Sequence, residues 1–343
     1  MKRLSVTSAL VAWALSASVA LATPGSLVVA TPIARATFGS AVNTGQLAGR
    51  QSVIQQLMIA PGGHTGWHSH PGATVILVQA GTFTFYTDAC AKVVTEANRG
   101  LVEAGGHVQL ARNEGALPLL LTVVYFDVPV GGGVRSDATT PACAVGADAN
   151  NLPEGAAGSG ISFNVPSGIV QRATFAAAAS ITSGADRDVF VQHQVYQPGG
   201  HSGWHSHPGA TVIYVESGTM SFYTGNCVRQ QFTAGQGAVE PGDHLALARN
   251  EGTVPLVLRV VYFNVPVAGS PRIDQPEPST CTGLVAGSAA APAATPRSLP
   301  ATSVATVDSS GSAVIALLAA LVSVAGLALL GHARRRSRSS SFR

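Results

Sequence analysis

The chain has 343 residues, of which 46% are hydrophobic and 11% are charged, a length that predicts about two domains. Its few charges and its mean hydropathy of +0.29 exclude a charge-rich disordered protein. Seven of the 20 Lys and Arg residues lie at the two ends, so the rest of the chain carries 13 basic residues against 17 acidic ones. This acidic balance excludes nucleic acid as a partner.

Residues 1–22 predict a secretory signal peptide. Met1, Lys2 and Arg3 form a basic start, Leu4–Leu21 is mostly apolar, and Ala20-Leu21-Ala22 has the form of a cleavage site. This order of features is typical of exported proteins. The alternative is an uncleaved N-terminal membrane anchor.

The body of the chain consists of two tandem copies of one sequence. Residues 34–130 align without a gap with residues 171–267, and 52 of these 97 positions are identical. The segment PGGHTGWHSHPGATVI (61–76) differs at one position from PGGHSGWHSHPGATVI (198–213). A repeat of this length is a whole domain rather than a solenoid unit, so we expect domains over 31–145 and 165–284.

Both repeats predict an all-β fold. Runs such as 74–78 and 119–126 are rich in β-branched and aromatic residues, and glycines interrupt the chain at short intervals. Many short strands without alternating helices indicate a sandwich or a barrel.

The four cysteines predict two disulfides. Cys90 and Cys227 are repeat mates, and Cys143 and Cys281 are mates within one residue. An even number of cysteines in an exported chain favours disulfide bonds. The repeat favours the pairs Cys90–Cys143 and Cys227–Cys281, and four free thiols are the alternative.

Histidine is the residue type most concentrated in the repeats. Of ten histidines, eight form two matched sets. The sets are His64, His68, His70 and His107, and His201, His205, His207 and His244.

Their spacing predicts a metal site in each repeat. Residues i and i+2 of a strand face the same side, so His68 should lie beside His70, and His205 beside His207. Imidazole is a common metal ligand, and His107 and His244 are the repeat-matched suppliers of a third nitrogen. His64 and His201 are candidate additional ligands. The alternative is a metal-free pocket in which the histidines bind an organic ligand through hydrogen bonds.

These residues resemble the first motif of the cupin superfamily, G-x5-H-x-H-x3–4-E-x6-G. Gly62, His68, His70 and Gly81 fit its spacing in the first copy, and their mates fit it in the second. The chain therefore resembles a bicupin with two cupin type-2-like domains. The resemblance implies two tandem double-stranded β-helix (jelly-roll) barrels, each with a metal in its mouth.

The sequence departs from the cupin motifs at two positions. Thr74 and Thr211 stand where the first motif has Glu, and Gln109 and Ala246 stand where the second has His. A ligand set without carboxylate favours Zn, Cu, Ni or Fe(II) over Mn.

Two acidic positions are kept in both repeats, Glu103 with its mate Glu240 and Glu114 with its mate Glu251. All four residues flank turns, and we expect them to be loop acids rather than catalytic groups.

The C-terminal region predicts a surface anchor. Residues 286–312 are a low-complexity stalk, and the uncharged span 313–330 would cover roughly 27 Å as a helix, near the thickness of a bilayer core. The basic residues of 331–343 should keep that tail cytoplasmic. Leu299–Ser303 resembles the LPxTG sorting signal that sortase cleaves, with Ser303 in place of the motif's Gly. A plain membrane anchor is the alternative.

Two function classes follow from these features. One is a metal-dependent cupin enzyme, such as an oxidoreductase of dioxygenase type, an isomerase or a decarboxylase. The other is a non-catalytic surface module that captures a small ligand or a metal. Nucleophilic hydrolysis and nucleotide binding find no support, because the chain lacks their motifs. The sequence names no substrate.

Overall fold

The computed structural model describes residues 25–144, 167–281 and 283–285, and these lie in one compact unit. The predicted signal peptide, stalk, membrane helix, basic tail and Leu299–Ser303 segment all lie outside the described residues. Within the described part, no helix is both long and apolar enough to cross a membrane.

The described residues confirm the all-β prediction. They form 22 strands and one short 3-10 helix, Ala142–Ala144. The strands of the first repeat are β1 Ser26–Phe38, β2 Val42–Gln46, β3 Arg50–Ile59, β4 His68–Ser69, β5 Thr74–Ala80, β6 Thr82–Thr87, β7 Lys92–Glu96, β8 Arg99–Glu103, β9 Gln109–Arg112, β10 Leu119–Val128 and β11 Ser136–Asp137. Those of the second are β12 Ser167–Phe175, β13 Ser180–Ser183, β14 Arg187–His201, β15 His205–Ser206, β16 Thr211–Ser217, β17 Thr219–Thr224, β18 Arg229–Thr233, β19 Gln236–Glu240, β20 Ala246–Arg249, β21 Leu256–Val265 and β22 Ile273–Asp274.

Each repeat builds two antiparallel groups of strands. In the first repeat the order is β3-β10-β5-β8 in one group and β11-β4-β9-β6-β7 in the other. The second repeat has the matching orders β14-β21-β16-β19 and β22-β15-β20-β17-β18. One apolar cluster in each repeat contains residues of both groups, an arrangement consistent with a jelly roll.

The two repeats exchange their first strands. β1 pairs along its length with β14 of the second repeat, and β12 pairs with β3 of the first. The last residues of β1 and β12 return to their own repeats, where they pair in parallel with β8 and β19. Each repeat therefore contributes a strand to the sheet of the other.

The long strand β10 is buried on both faces. Val123 and Tyr125 belong to the cluster inside the first repeat, whereas Val124 and Phe126 belong to a cluster that contains residues of both repeats. Phe126 meets its repeat mate Phe263 with ring centroids 6.1 Å apart. This double burial explains why the segment is apolar nearly without interruption, because alternate residues of a strand face opposite sides.

Glycine is required where the exchanged strands return. The ring of Phe38 lies where a side chain on Gly100 would be, and Phe175 does the same at Gly237. Phe38 and Phe175 are fully buried, so these two glycines make room for the rings that fix the ends of the exchanged strands.

Both predicted disulfides are confirmed. The structure links Cys90 to Cys143 and Cys227 to Cys281. Cys281 packs beside the buried ring of Trp204. Each bond closes a loop within its own repeat.

Candidate metal centre

The structure brings together the two paired histidines of each repeat. His68 and His70 have ring centroids 4.7 Å apart and Nε2 atoms 3.2 Å apart. The rings of His205 and His207 are also 4.7 Å apart. All four side chains are buried, as expected if i and i+2 face one interior.

Backbone carbonyls orient these rings. In the first repeat, Nδ1 of His68 lies 2.8 Å from the Gly66 carbonyl and Nδ1 of His70 lies 2.7 Å from that of Val134. In the second repeat the matching contacts are His205–Gly203 at 2.8 Å and His207–Pro271 at 2.6 Å. A carbonyl oxygen can only accept, so Nδ1 donates and Nε2 keeps its lone pair. This is the tautomer that a metal needs at Nε2.

A glycine in the left-handed region permits this arrangement. Gly66 has a φ of 71° and Gly203 one of 73°, a conformation that glycine adopts without steric cost. The carbonyl of Gly66 accepts from His68, while its N–H donates to Nδ1 of His64 at 3.0 Å. One turn thus positions two histidines.

A glutamate completes each group, and the sequence analysis did not identify it as a site residue. Glu103 Oε2 lies 3.3 Å from Nε2 of His70, and Glu240 Oε2 lies 3.4 Å from Nε2 of His207. Both carboxylates are buried. The expectation that Glu103 and Glu240 are loop acids is therefore wrong.

The strand register shows which residue takes the place of the motif glutamate. Thr74 pairs directly with Glu103 across β5 and β8, and Thr211 pairs with Glu240 across β16 and β19. Directly opposite residues of antiparallel strands share a face. The carboxylate therefore reaches the same interior from the neighbouring strand. The presence of this glutamate in both repeats was the sequence feature that could have identified it as a site residue.

The structure does not bring His107 and His244 to the paired histidines. Both are exposed and lie in the turns that precede β9 and β20. Their assignment as third ligands assumed a regular strand, and alternation of side chains holds only within one. The turn removes them from the interior.

His64 and His201 are buried but line neither cavity described below. Nδ1 of His201 accepts from the N–H of Gly203 at 3.1 Å, as Nδ1 of His64 does from that of Gly66. A neutral imidazole whose Nδ1 accepts a hydrogen bond carries its proton on Nε2. These two side chains therefore stabilise the turn that carries the site.

The two centres differ at one neighbouring position. Gln109 Nε2 donates to Glu103 Oε2 at 2.5 Å in the first repeat. Its mate in the second repeat is Ala246, and Glu240 Oε1 is buried with no hydrogen-bond partner among the described residues. Within that part of the chain, His205, His207 and Glu240 form one group of potential ligand atoms within 4.8 Å of one another.

This group fits a divalent cation. Two imidazole lone pairs and a carboxylate converge on one point. Hydrogen-bond acceptors at such short distances repel one another unless a cation lies between them. The orphaned oxygen of Glu240 supplies a ligand that no protein donor occupies. The sequence-based preference against Mn assumed a set without carboxylate, and Glu240 removes that assumption.

Burial keeps the imidazoles of His68 and His205 neutral. Desolvation, together with the charges of His70 and Arg135, lowers the pKa of His68 to about 3. Desolvation also holds the pKa of His205 well below its usual value, with further contributions from His207 and Arg272. Neutral imidazole is the form that binds metals.

The cavities beside the two groups differ in size. The second-repeat cavity has a volume of about 620 Å³, against about 120 Å³ in the first repeat. Its walls include Val28 and Pro32 of the exchanged strand β1. The strand exchange therefore builds part of the second cavity from the first repeat.

Comparison with known protein families finds one match, over part of the second repeat. The family model for the cupin domain matches residues 192–262, a range that contains His205, His207 and Glu240. No curated protein matches the chain.

Several solved structures match parts of this chain. A cupin 2 conserved barrel domain protein from Leptotrichia buccalis is 12% identical, with a TM-score of 0.25, over 69% of this chain and 89% of that one. Oxalate decarboxylase from Bacillus subtilis is 13% identical, with a TM-score of 0.32, over 71% and 78%. A conserved protein with a double-stranded β-helix domain from Klebsiella pneumoniae is 26% identical, with a TM-score of 0.21, over 21% and 64%. Scores this low assign no activity, so the functional case rests on the site residues.

Proposed function

We propose that the second repeat holds a divalent transition metal through Nε2 of His205, Nε2 of His207 and a carboxylate oxygen of Glu240. The observation that carries this proposal is the convergence of three buried ligand atoms within 4.8 Å of one another, together with an oxygen of Glu240 that has no hydrogen-bond partner among the described residues. The ring orientations support it, because backbone carbonyls occupy both Nδ1 hydrogens.

The metal would face a cavity large enough for a small molecule. Ligand sites commonly have volumes of about 300–1,000 Å³ and mostly apolar walls, and the second-repeat cavity has about 620 Å³. Two histidines and one carboxylate leave coordination positions open, and this donor set is typical of non-haem Fe(II) oxygenases. We therefore favour a metal-dependent cupin oxidoreductase of dioxygenase type over a capture module.

The protein's own residues would have separate roles at such a centre. A bound metal would supply Lewis-acid or redox chemistry at its open positions. His205, His207 and Glu240 would hold it, and the buried Thr211 hydroxyl, which has no partner in the described structure, would offer a hydrogen bond beside it. The apolar walls would exclude water.

The first repeat would be the weaker metal site. His68, His70 and Glu103 are the matching residues of the first repeat, but Gln109 already donates to the carboxylate. A metal there would have to compete with that hydrogen bond. The two repeats would then be tandem double-stranded β-helix barrels of which the second binds metal more tightly.

Cobalt substitution tests the metal proposal. Full-length protein loaded with Co(II) should show a visible d–d absorption that His205→Ala or Glu240→Gln abolishes. The matched first-repeat substitution, His68→Ala, should leave that absorption in place. Retention of the spectrum in Glu240→Gln would exclude the carboxylate as a ligand, and no binding of Co(II), Fe(II), Zn(II) or Mn(II) to folded protein would exclude the metal site.

We also propose that the body is exported and anchored by residues 313–330. The two disulfides support this, because such bonds persist in oxidising compartments. Deletion of Ala313–Arg343 should release the protein from cells, and a truncated protein that stays cell-bound after a salt wash would contradict the anchor. A mature C-terminus that still carries Arg334 would exclude sortase cleavage.

A further inference from the structure

One arginine of the second-repeat cavity has a buried N–H donor without a partner. Arg272 lines this cavity, and its side chain is 15% exposed. Its Nε donates to Oδ1 of Asp274 at 2.6 Å. Nη2 is buried and meets no acceptor within the described residues. An unpaired buried donor on a charged group is costly, so the position favours an acceptor brought by a ligand.

The repeat mate of Arg272 shows the same residue with its donors engaged. Arg135 gives Nη1 to the carbonyl of Thr65 at 2.9 Å and Nη2 to Oδ1 of Asp137 at 2.5 Å. It lines the smaller, first-repeat cavity. The unpartnered donor therefore occurs where the cavity is large enough to admit a ligand.

The other arginine on the second cavity is already committed. Nε of Arg35 pairs with Asp188 at 2.5 Å. Its Nη2 donates to the carbonyls of Pro266 and Gly269 at 3.0 and 2.8 Å. Arg272 is thus the cavity cation with an orphaned N–H.

Arg272 also adjoins the metal ligands. The carbonyl of Pro271, the residue before it, fixes the ring of His207. The charge of Arg272 acts on His205, on Tyr196 and on Tyr262. A ligand that pairs with this guanidinium would therefore lie beside the proposed metal.

The cavity walls define the rest of the ligand. Apolar side chains provide much of the surface, among them Val28, Ile213, Phe222, Leu258 and Val260. The polar groups Gln192, Gln194 and Tyr262 are joined to one another by hydrogen bonds. Such walls favour an apolar body, whereas the planar guanidinium favours a carboxylate.

We infer that the second-repeat cavity binds a monocarboxylate with an apolar body, and that Arg272 holds the carboxylate. This rests on the proposed function for its location beside the metal, but the contact with Arg272 does not need the metal. Arg272 is a binding residue, and its repeat mate Arg135 is a built-in control.

Calorimetric titration with 3-phenylpropanoate tests the inference, with 3-phenylpropanamide as the uncharged probe. We expect full-length protein to bind the acid about tenfold to a hundredfold more tightly than the amide, since hydrogen bonds between charged groups are stronger than neutral ones. Arg272→Gln should remove this preference, and Arg135→Gln should keep it. Equal binding of acid and amide, or an Arg272→Gln variant with wild-type affinity, would overturn the inference.

The zinc content of the same samples separates this inference from the proposed function. Zinc binding without any binding of 3-phenylpropanoate would contradict the inference and support the metal site. Binding of 3-phenylpropanoate that depends on Arg272, in protein that takes up no zinc, would support the inference and contradict the metal site. If Arg272→Gln does not fold, Arg272→Lys retains the charge without the planar fork. Wild-type affinity for the acid in that variant would count against the guanidinium contact, and a weakened affinity would support it.

Discussion

Gln109 and Ala246 occupy the same position in the two repeats and give the two glutamates different surroundings. Gln109 neutralises part of the acceptor capacity of Glu103 with a donated hydrogen bond. Ala246 cannot donate from its side chain, and Glu240 keeps an oxygen free of partners in the described structure. Loss of a group that hydrogen-bonds to a metal ligand commonly lowers metal affinity about 10- to 100-fold. Gln109 has the opposite effect because it donates to Oε2 of Glu103, the oxygen 3.3 Å from Nε2 of His70, and so competes with a metal for that oxygen.

Exchange of these two residues should exchange the metal affinities. Gln109→Ala should raise the zinc affinity of the first repeat by about tenfold, and Ala246→Gln should lower that of the second by a similar factor. A competition titration against a chelator measures both. An Ala246→Gln variant with unchanged affinity would show that the carboxylate environment does not separate the two sites.

At the same scale, the sequence predicted the histidine pairs but not their acidic partner. The spacing of His68 and His70 is enough to place them on one face. The partnership of Thr74 with Glu103 depends on the register between β5 and β8, which local spacing does not encode. His107 was assigned by counting alternation through a turn, where alternation does not hold.

The exchanged strands β1 and β12 are the elements that join the repeats. Each pairs over most of its length with the other repeat and ends against a glycine of its own. The sequence predicted strands and a repeat, but a repeat alone does not determine whether its first strand pairs within one copy or across two. Gly100 and Gly237 are the local sequence features that mark where the exchanged strands end against their own repeats.

Gly100→Ala should destabilise the protein by about 1–3 kcal/mol, because the new methyl group overpacks the ring of Phe38. Gly168→Ala is the control: a Cβ there meets no atom within 4 Å, so its stability should stay within about 1 kcal/mol of wild type. Chemical denaturation measures both. Equal stability of the two variants would contradict the steric role of Gly100.

The attachment of β1 to the second repeat should depend on pH through Asp188. Its carboxylate accepts from Thr37 at 2.6 Å, from Arg35 at 2.5 Å and from the Ala268 N–H at 2.9 Å. Against the effect of desolvation, these donors hold its pKa below the usual value. A lowered folded-state pKa contributes stability above the unfolded value, about 3.9 for Asp, and loses it as the pH falls through the folded value.

Asp188→Asn should therefore reduce the free energy of unfolding at pH 7 by about 2 kcal/mol. The loss should shrink as the pH falls below 4, since the wild-type carboxyl then becomes neutral too. Denaturant titrations from pH 7 to pH 3 give both values. A constant difference between variant and wild type over this range would contradict the ionised role of Asp188.

At the scale of the whole molecule, the two repeats share a compact unit and carry one disulfide each. Sequence alone predicted these pairs because the repeat limits the choice. It could not predict the difference in cavity size, because that difference arises from many side chains of both repeats that meet in three dimensions. Strand β1 belongs to the first repeat in sequence and lines the second cavity in space.

Each disulfide should stabilise the protein by closing a long loop. Replacement of Cys227 and Cys281 by Ala should lower the free energy of unfolding by roughly 2–4 kcal/mol. The pair Cys90 and Cys143 closes a loop of similar length, 53 residues against 54, so its replacement should cost a similar amount. Peptide mapping without reductant should recover one intact link in each double variant, and a link between the repeats would contradict the pairing.

Zinc binding to Glu240→Gln and His244→Ala tests the central claim most directly, because it compares the carboxylate that the structure places in the site with the histidine that the sequence placed there. The account predicts that Glu240→Gln loses about a hundredfold or more in zinc affinity, since loss of a ligand should exceed the 10- to 100-fold effect of an outer partner. It predicts that His244→Ala binds as wild type does. Wild-type affinity in Glu240→Gln together with lost affinity in His244→Ala would contradict it.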